Sequence, residues 1–173
     1  DNGQKIQIAI RLLREIVDSL ETAENVEVAL RVYGHQNNVT SDGRNCKDTK
    51  LEVPFSAKNH EKIIERLGSI RPKGTTLIAY SLEQAAYDFP DDKNARNVII
   101  LITDGIEECD GDPCAVSLAL QKRGVVLKPF IIGMGLEPEV IDAFKCVGNY
   151  YDATSEATFK DVLGIVISQA LNN

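Results

Sequence analysis

The chain has 173 residues, 43% of them hydrophobic and 26% charged, with a formal net charge of -7 and a sequence pI of about 4.9. That length implies one domain able to bury roughly 70% of its unfolded surface, so a core needs no staple. The acid excess argues against nucleic acid or an anionic membrane as partner, because phosphate contacts need a basic face, and no apolar run approaches the roughly 20 residues that span a bilayer.

Lys5 to Leu20 is predicted to be an amphipathic helix, with Ile6, Ala9, Ile10, Leu13, Ile16, Val17 and Leu20 at helical spacing. Val26 to Tyr33 reads as a strand ended by Gly34. A polar loop from His35 to Lys50 carries Cys46 and is long enough to hold functional surface. Leu51 to Phe55 alternates, and Pro54 makes it an edge strand. Ser56 is read as the cap of a second helix, with Ile63, Ile64 and Leu67 buried and Gly68 as its stop. A third helix runs from about Thr76 to Asp88 and ends at Pro90. Val98 to Ile102 is an unbroken apolar run, the signature of a strand buried on both faces. Asp112-Pro113 caps a helix that runs to Arg123. A strand over Val125 to Gly133, a helix over Pro138 to Val147 and a strand over Tyr150 to Asp152 follow. Thr154 or Ser155 opens the last helix, which buries Phe159, Val162, Leu163, Val166 and Ile167. This alternation implies an α/β fold, doubly wound, with helices on both faces of the sheet.

A carboxylate at the carboxyl end of a central parallel strand sits where such sheets bind ligands, and Asp104 holds that position. Its bland alternative is to shape the turn at Gly105. Thr75 and Thr76 precede the third helix, where Thr76 taken by itself reads first as a plain N-cap. Oxygen-rich loops without a His/Cys cluster suit a hard cation such as Mg2+, Mn2+ or Ca2+. His35 is either a ligand or base, or a hydrogen-bonded loop histidine; His60 reads as exposed on a helix. Glu107, Glu108, Asp110 and Asp112 make an acidic rim, which as a bare pattern is a solvated face.

Gly74-Thr-Thr-Leu-Ile-Ala-Tyr-Ser-Leu82, followed by Leu101-Ile-Thr-Asp-Gly105, closely resembles the von Willebrand factor A domain. The likeness continues in Arg31-Val-Tyr-Gly-His35 and in the segment Asp104 to Cys114, which is similar to extracytoplasmic bacterial members, and it spans essentially the whole chain. It implies a VWA/Rossmann-like, mostly parallel sheet with one antiparallel edge strand, in a single domain over residues 1–173. It also implies that Thr76 and Asp104 belong to a metal-ion-dependent adhesion site holding Mg2+, or Mn2+ or Ca2+. The family's first strand and its Asp-x-Ser-x-Ser loop have no counterpart in a chain that opens on Asp1-Asn-Gly-Gln4, so the domain is expected to be N-terminally incomplete. A bound metal is therefore expected in the intact domain rather than in these residues. In the family that strand lies between those at Val26 and Val98. If it buries about four large apolar side chains at roughly 1.5–3 kcal/mol each, its loss removes on the order of 6–12 kcal/mol, against about 5–15 for a whole domain. An upstream segment or a second chain is expected to fill the place.

The four cysteines form an even set, and Cys109 and Cys114 lie in a polar segment after a strand, which argues for an oxidising compartment: periplasm, cell surface or medium. Cys109–Cys114 closes the shortest loop and leaves Cys46 with Cys146; Cys46–Cys109 with Cys114–Cys146 is the second pairing, and a free Cys146 the third outcome. By resemblance the chain is a non-enzymatic protein-binding module for cell adhesion, its partner a protein offering an acidic group. Two alternatives stand beside it: a metal-dependent hydrolase or phosphatase on a similar sheet, and a metal-free structural scaffold. The residues upstream of Asp1 discriminate, since Asp-x-Ser-x-Ser favours adhesion and Asp-x-Asp favours phosphoryl chemistry.

Overall fold

In the computed structural model, which describes residues 2–39, 43–123, 130–133 and 136–171, eleven elements follow one another. They are α1 (Asn2–Leu20), β1 (Val28–Tyr33), β2 (Thr49–Ser56), α2 (His60–Ser69), α3 (Ile78–Asp88), β3 (Ile100–Thr103), α4 (Pro113–Lys122), β4 (Phe130–Gly133), α5 (Pro138–Phe144), β5 (Asn149–Asp152) and α6 (Glu156–Leu171). The fold is α/β, as expected. The described strands form two sheets. β1 pairs antiparallel with β2, Tyr33 opposite Thr49 and Arg31 opposite Leu51, with irregular register towards Val28. β3, β4 and β5 run parallel in that order, Ile102 beside Ile132 and Ile132 beside Tyr151.

Strand alternation sorts the helices into two layers. Ile100 and Ile102 pack on Leu12 and Ile16 of α1 and on Phe159, Val162 and Val166 of α6. Leu101 points the other way, onto Ile78 and Leu82 of α3, Leu120 of α4, and Phe144 and Val147. A third cluster joins Val17 of α1 to Leu30, Val53 and the α2 residues Ile63 and Leu67. α1 thus reaches from the parallel sheet to the antiparallel pair on one face. On the other face α3 does the same, because its Asp88 holds Arg31 of β1 at 2.6 and 2.8 Å while its apolar side chains cover Leu101. Between β1 and β3 the described residues form no ladder; Tyr33 crosses there, its hydroxyl donating to Thr103 Oγ1 at 3.0 Å.

Several boundaries differ from expectation. Ser56 does not cap a helix: it ends β2, opposite Val28, because extended pairing continues to that point. α2 starts at His60, and the Asn59 amide that precedes it is drawn inward, donating to Val28 O and Pro54 O at 2.5 and 2.7 Å. Gly68 lies inside α2, which stops a residue later, where Ile70 turns extended and buries itself. α3 begins at Ile78 and not Thr76, β3 at Ile100 and not Val98, and α5 ends at Phe144. Of the strand expected over Val125 to Gly133, only residues from Phe130 onward are described. Two caps stand as read: Asp112 accepts from Ala115 N at 3.0 Å with Pro113 following, and Ser155 with Thr158 exchange hydrogen bonds of 3.1 Å at the start of α6.

Candidate functional site

β3 ends in Thr103, and the turn that follows is tied down by one hydroxyl. Thr103 Oγ1 accepts from Tyr33 at 3.0 Å and donates to Gly105 O at 3.1 Å. Burial pushes the Tyr33 phenol up to about 12 against the opposing hydrogen bond to Thr103, and the nearby Asp104, Glu107 and Glu108 add to the upward push. Tyr33 therefore keeps its proton at neutral pH and remains the donor. Asp104 projects from this turn into solvent.

A second turn meets the first. Thr76 Oγ1 lies 3.5 Å from where a Cβ on Gly105 would stand, so the Gly74–Thr76 and Asp104–Gly105 turns are neighbours. Gly34 makes room for this: it has φ +62, and a Cβ there would sit 2.8 Å from Thr75 O. Buried Asp48 supports the same corner by accepting from Gln36 N and Asn37 N at 3.1 and 2.9 Å. Thr76 does not cap α3, but its neighbour Thr75 is almost fully buried, with an Oγ1 that has no hydrogen-bond partner among the described residues. Sequence spacing alone gave no reason to prefer one threonine over the other.

The acidic rim is not a plain solvated face. The residue at the N-cap of α3 is Leu77, which supplies no capping side chain. Glu107 supplies it from a distant loop: Oε2 accepts from Ala79 N at 2.7 Å and Oε1 from Cys109 N at 2.9 Å. Glu108 turns to the preceding residues, with Oε2 accepting from Thr76 N at 2.6 Å and its own N donating to Thr76 O at 2.9 Å. Arg44 donates to Glu108 O. No local pattern signals this cap, because the carboxylate that supplies it lies 28 residues further along the chain.

The cysteines pair as Cys46–Cys109 and Cys114–Cys146, with Cα separations of 5.5 and 5.3 Å, and none is free. This corrects the shortest-loop pairing of Cys109 with Cys114 and leaves no free Cys146. Pro113 starts α4 immediately before Cys114, so the helix carries that sulfur to the end of α5, while Cys109 stays on the loop that Glu107 pins against α3.

His35 is buried and engaged: Nε2 meets Glu52 Oε1 at 2.6 Å, and Arg66 Nε holds Glu52 Oε2 at 2.7 Å. The Arg66 hydrogen bond, helped by His35 and opposed by burial, holds Glu52 down at about 2. This is the hydrogen-bonded arrangement of the two readings, with Nδ1 buried and without a hydrogen-bond partner among the described residues. His60 stands at the start of α2 against Asp18 at 2.5 Å. Among the described residues no group of three or more His, Cys, Asp or Glu could hold a metal. Thr75, Thr76 and Asp104 offer oxygens, but Glu107 and Glu108 have theirs on backbone N–H groups. A hard cation needs about six oxygens, so these residues by themselves do not fit one.

A family profile of the von Willebrand factor type A domain matches residues 2–163. The uncharacterised protein YwmC of Bacillus subtilis (strain 168) is 27% identical over 179 residues, covering 99% of this chain and 76% of its own length. Among solved structures, proximal thread matrix protein 1 from the mussel byssus, in a form with a zinc-occupied MIDAS motif, superposes with a TM-score of 0.72 at 17% identity, covering 99% of this chain and 44% of that one. The pilus adhesin SpaC from Lactobacillus rhamnosus GG gives 0.74 at 13% identity, covering 96% and 28%. At such identities the likeness concerns the fold.

Proposed function

Because this chain belongs to the von Willebrand factor type A domain family, we propose that it is a non-enzymatic, adhesion-type protein-binding module that works outside the cytoplasm. The observation that carries the reading is the meeting of the Thr75–Thr76 turn with the Asp104–Gly105 turn at the carboxyl end of β3. Asp104 faces solvent there, and the Thr75 hydroxyl is buried without a partner among the described residues. Two disulfides support an oxidising location. No bond is made or broken in such a module.

In this reading Thr76, Thr75 and Asp104 are part of a metal-ion-dependent adhesion site for Mg2+ or a similar cation, and its remaining oxygens come from a segment inserted between β1 and β3. That segment is an upstream stretch of the protein or a second chain. Two features favour the place: the described strands β1 and β3 form no ladder, and Val28, Ile100 and Ile102, which would flank it, are only half-buried. The partner is a protein presenting an acidic group at this end of the sheet.

The test is a calorimetric Mg2+ titration of the longer protein that includes the upstream segment, beside Asp104→Ala, Thr75→Ala and Thr76→Ala. Loss of at least about tenfold in affinity, or roughly 1.4 kcal/mol, is expected for Asp104→Ala and for the threonine that reaches the ion. Equal affinity in wild type and Asp104→Ala removes Asp104 from the site. A protein that takes up no Mg2+ while its thermal melt is intact overturns the metal reading in favour of a scaffold.

A further inference from the structure

We propose that His60 is a proton-operated latch that fastens the end of α1 to the start of α2, closed when the imidazole is charged and open when it is neutral. The latch depends on neither the metal nor the partner proposed above. His60 is the first residue of α2, and both of its ring nitrogens face carboxylates from the end of α1 and the turn after it. Nε2 meets Asp18 Oδ1 at 2.5 Å, and Nδ1 stands 3.5 Å from Glu21 Oε1. A carboxylate only accepts, and a neutral imidazole has one N–H. The imidazolium alone serves both sides, because the neutral ring turns a lone pair towards one of the two carboxylates. Nδ1 is buried without a hydrogen-bond partner among the described residues, so no other group there relieves that repulsion.

The setting favours the charged ring. α1 has no basic residue in its last turn, although the negative end of its dipole lies there beside Asp18 and Glu21. His60 supplies the missing positive charge from another helix. The charged groups that act on it are Asp18, Glu21 and, on its own helix, Glu61. The hydrogen bond to Asp18 raises its pKa above the ordinary 6.5, against desolvation, and the charges of all three acids add to the rise. The latch also lies over the seam between the two halves of the molecule. Beside His60 is a cavity of about 30 Å3, walled by Val17, Leu20, Val26, Val28 and Asn59 among others. Val28 packs against both the cluster under β3 and the cluster that holds α2. Release of His60 loosens the turn from Glu21 to Val26 over that cavity. Val17, in one cluster with Leu30, Ile63 and Leu67, keeps the body of α1 docked.

The test is an NMR titration of the two histidines in the full-length protein, with the His60 signal identified by its loss in His60→Gln. The His60 midpoint should lie above 6.5 in wild type and fall towards it in Asp18→Asn and in Glu21→Gln. Because the folded pKa is the higher one, the latch holds fully below 6.5 and is lost as the pH rises through the folded midpoint. Amide exchange, corrected for the intrinsic rate at each pH, reads the helix end through Glu21 N and Ala23 N, which donate to Asp18 O and Leu20 O. Both should be about threefold less protected above the midpoint than below it, the scale of a half-exposed ion pair. In His60→Gln their protection should be low and independent of pH. A wild-type midpoint at or below 6.5, or one that neither carboxylate variant moves, overturns the proposal. So does protection at Glu21 and Ala23 that ignores the midpoint, since His60 would then titrate as an ordinary surface pair without holding the helix end.

Discussion

The two described sheets are held by different means. In the parallel half, β3, β4 and β5 are covered by apolar side chains on both faces, with Ile131, Val147 and Val166 at 0% exposure. In the antiparallel half, Leu30 and Val53 pack on Ile63 and Leu67, Phe55 and Tyr33 make further apolar contacts, and ion pairs add to these. Arg31 meets Asp88, His35 meets Glu52, and Arg66 closes on the same carboxylate. The difference teaches where each kind of force is needed. A sheet with two apolar faces draws most of its stability from burial, whereas the two-stranded pair, with less apolar surface, adds ion pairs and hydrogen bonds to it.

That contrast can be broken at its strongest point first. Phe159 of α6 is 1% exposed and packs under the parallel half. Phe159→Ala should cost about 3–5 kcal/mol, read as a fall in the denaturant midpoint; a loss no greater than that of an average surface change would mean that α6 is not part of the core. Next comes the covalent tie between halves, since Cys46 belongs to the β1–β2 loop and Cys109 to the loop after β3. Replacing both by serine should cost about 2–4 kcal/mol, and exchange should rise around Thr76 as well as around Cys46. Smallest is Glu52→Gln, about 1–3 kcal/mol at neutral pH. Its sign with pH follows from the depressed pKa, about 2 against an ordinary 4.5. The stabilisation is complete above about 4.5 and is lost as the pH falls from there towards 2. The gap in melting temperature between wild type and Glu52→Gln should therefore close on acidification, and a gap that stays constant would show that Glu52 acts by shape and not by charge.

What could be read from the sequence follows the same division. The period-2 and period-3.6 patterns placed α1, β1, α3, β3, α4 and α6 to within a few residues, because burial on defined faces leaves a direct imprint on residue order. Edge character at Pro54 was legible for the same reason: a residue without an N–H restricts where it can pair. Ser56 misled because its type favours a cap, while extended pairing with Val28 decides its conformation. At the candidate site the order of Thr76 and Asp104 was legible, and the structure makes their turns neighbours. The tasks of Glu107, Glu108 and Tyr33 were not, because each acts on a partner 28 or more residues away in the chain. The cysteine pairing was undecidable for a related reason: the nearest cysteine in sequence is not the nearest in space once α4 has begun.

The two disulfides also fix what the chain can do under tension. Cysteine separations of 63 and 32 residues are closed by covalent bonds. At about 3.3–3.6 Å per extended residue, they hold on the order of 200 Å and 100 Å of contour out of reach of a pulling force. The segments from Cys46 to Cys109 and from Cys114 to Cys146 include β2, α2, α3, β3, most of α4, β4 and α5. A pull applied through the two ends would peel α1, β1, β5 and α6 and then stop at a covalent knot. Both candidate turns, with Thr76 and Asp104, lie inside that knot and would keep their connection after the flanking elements had given way.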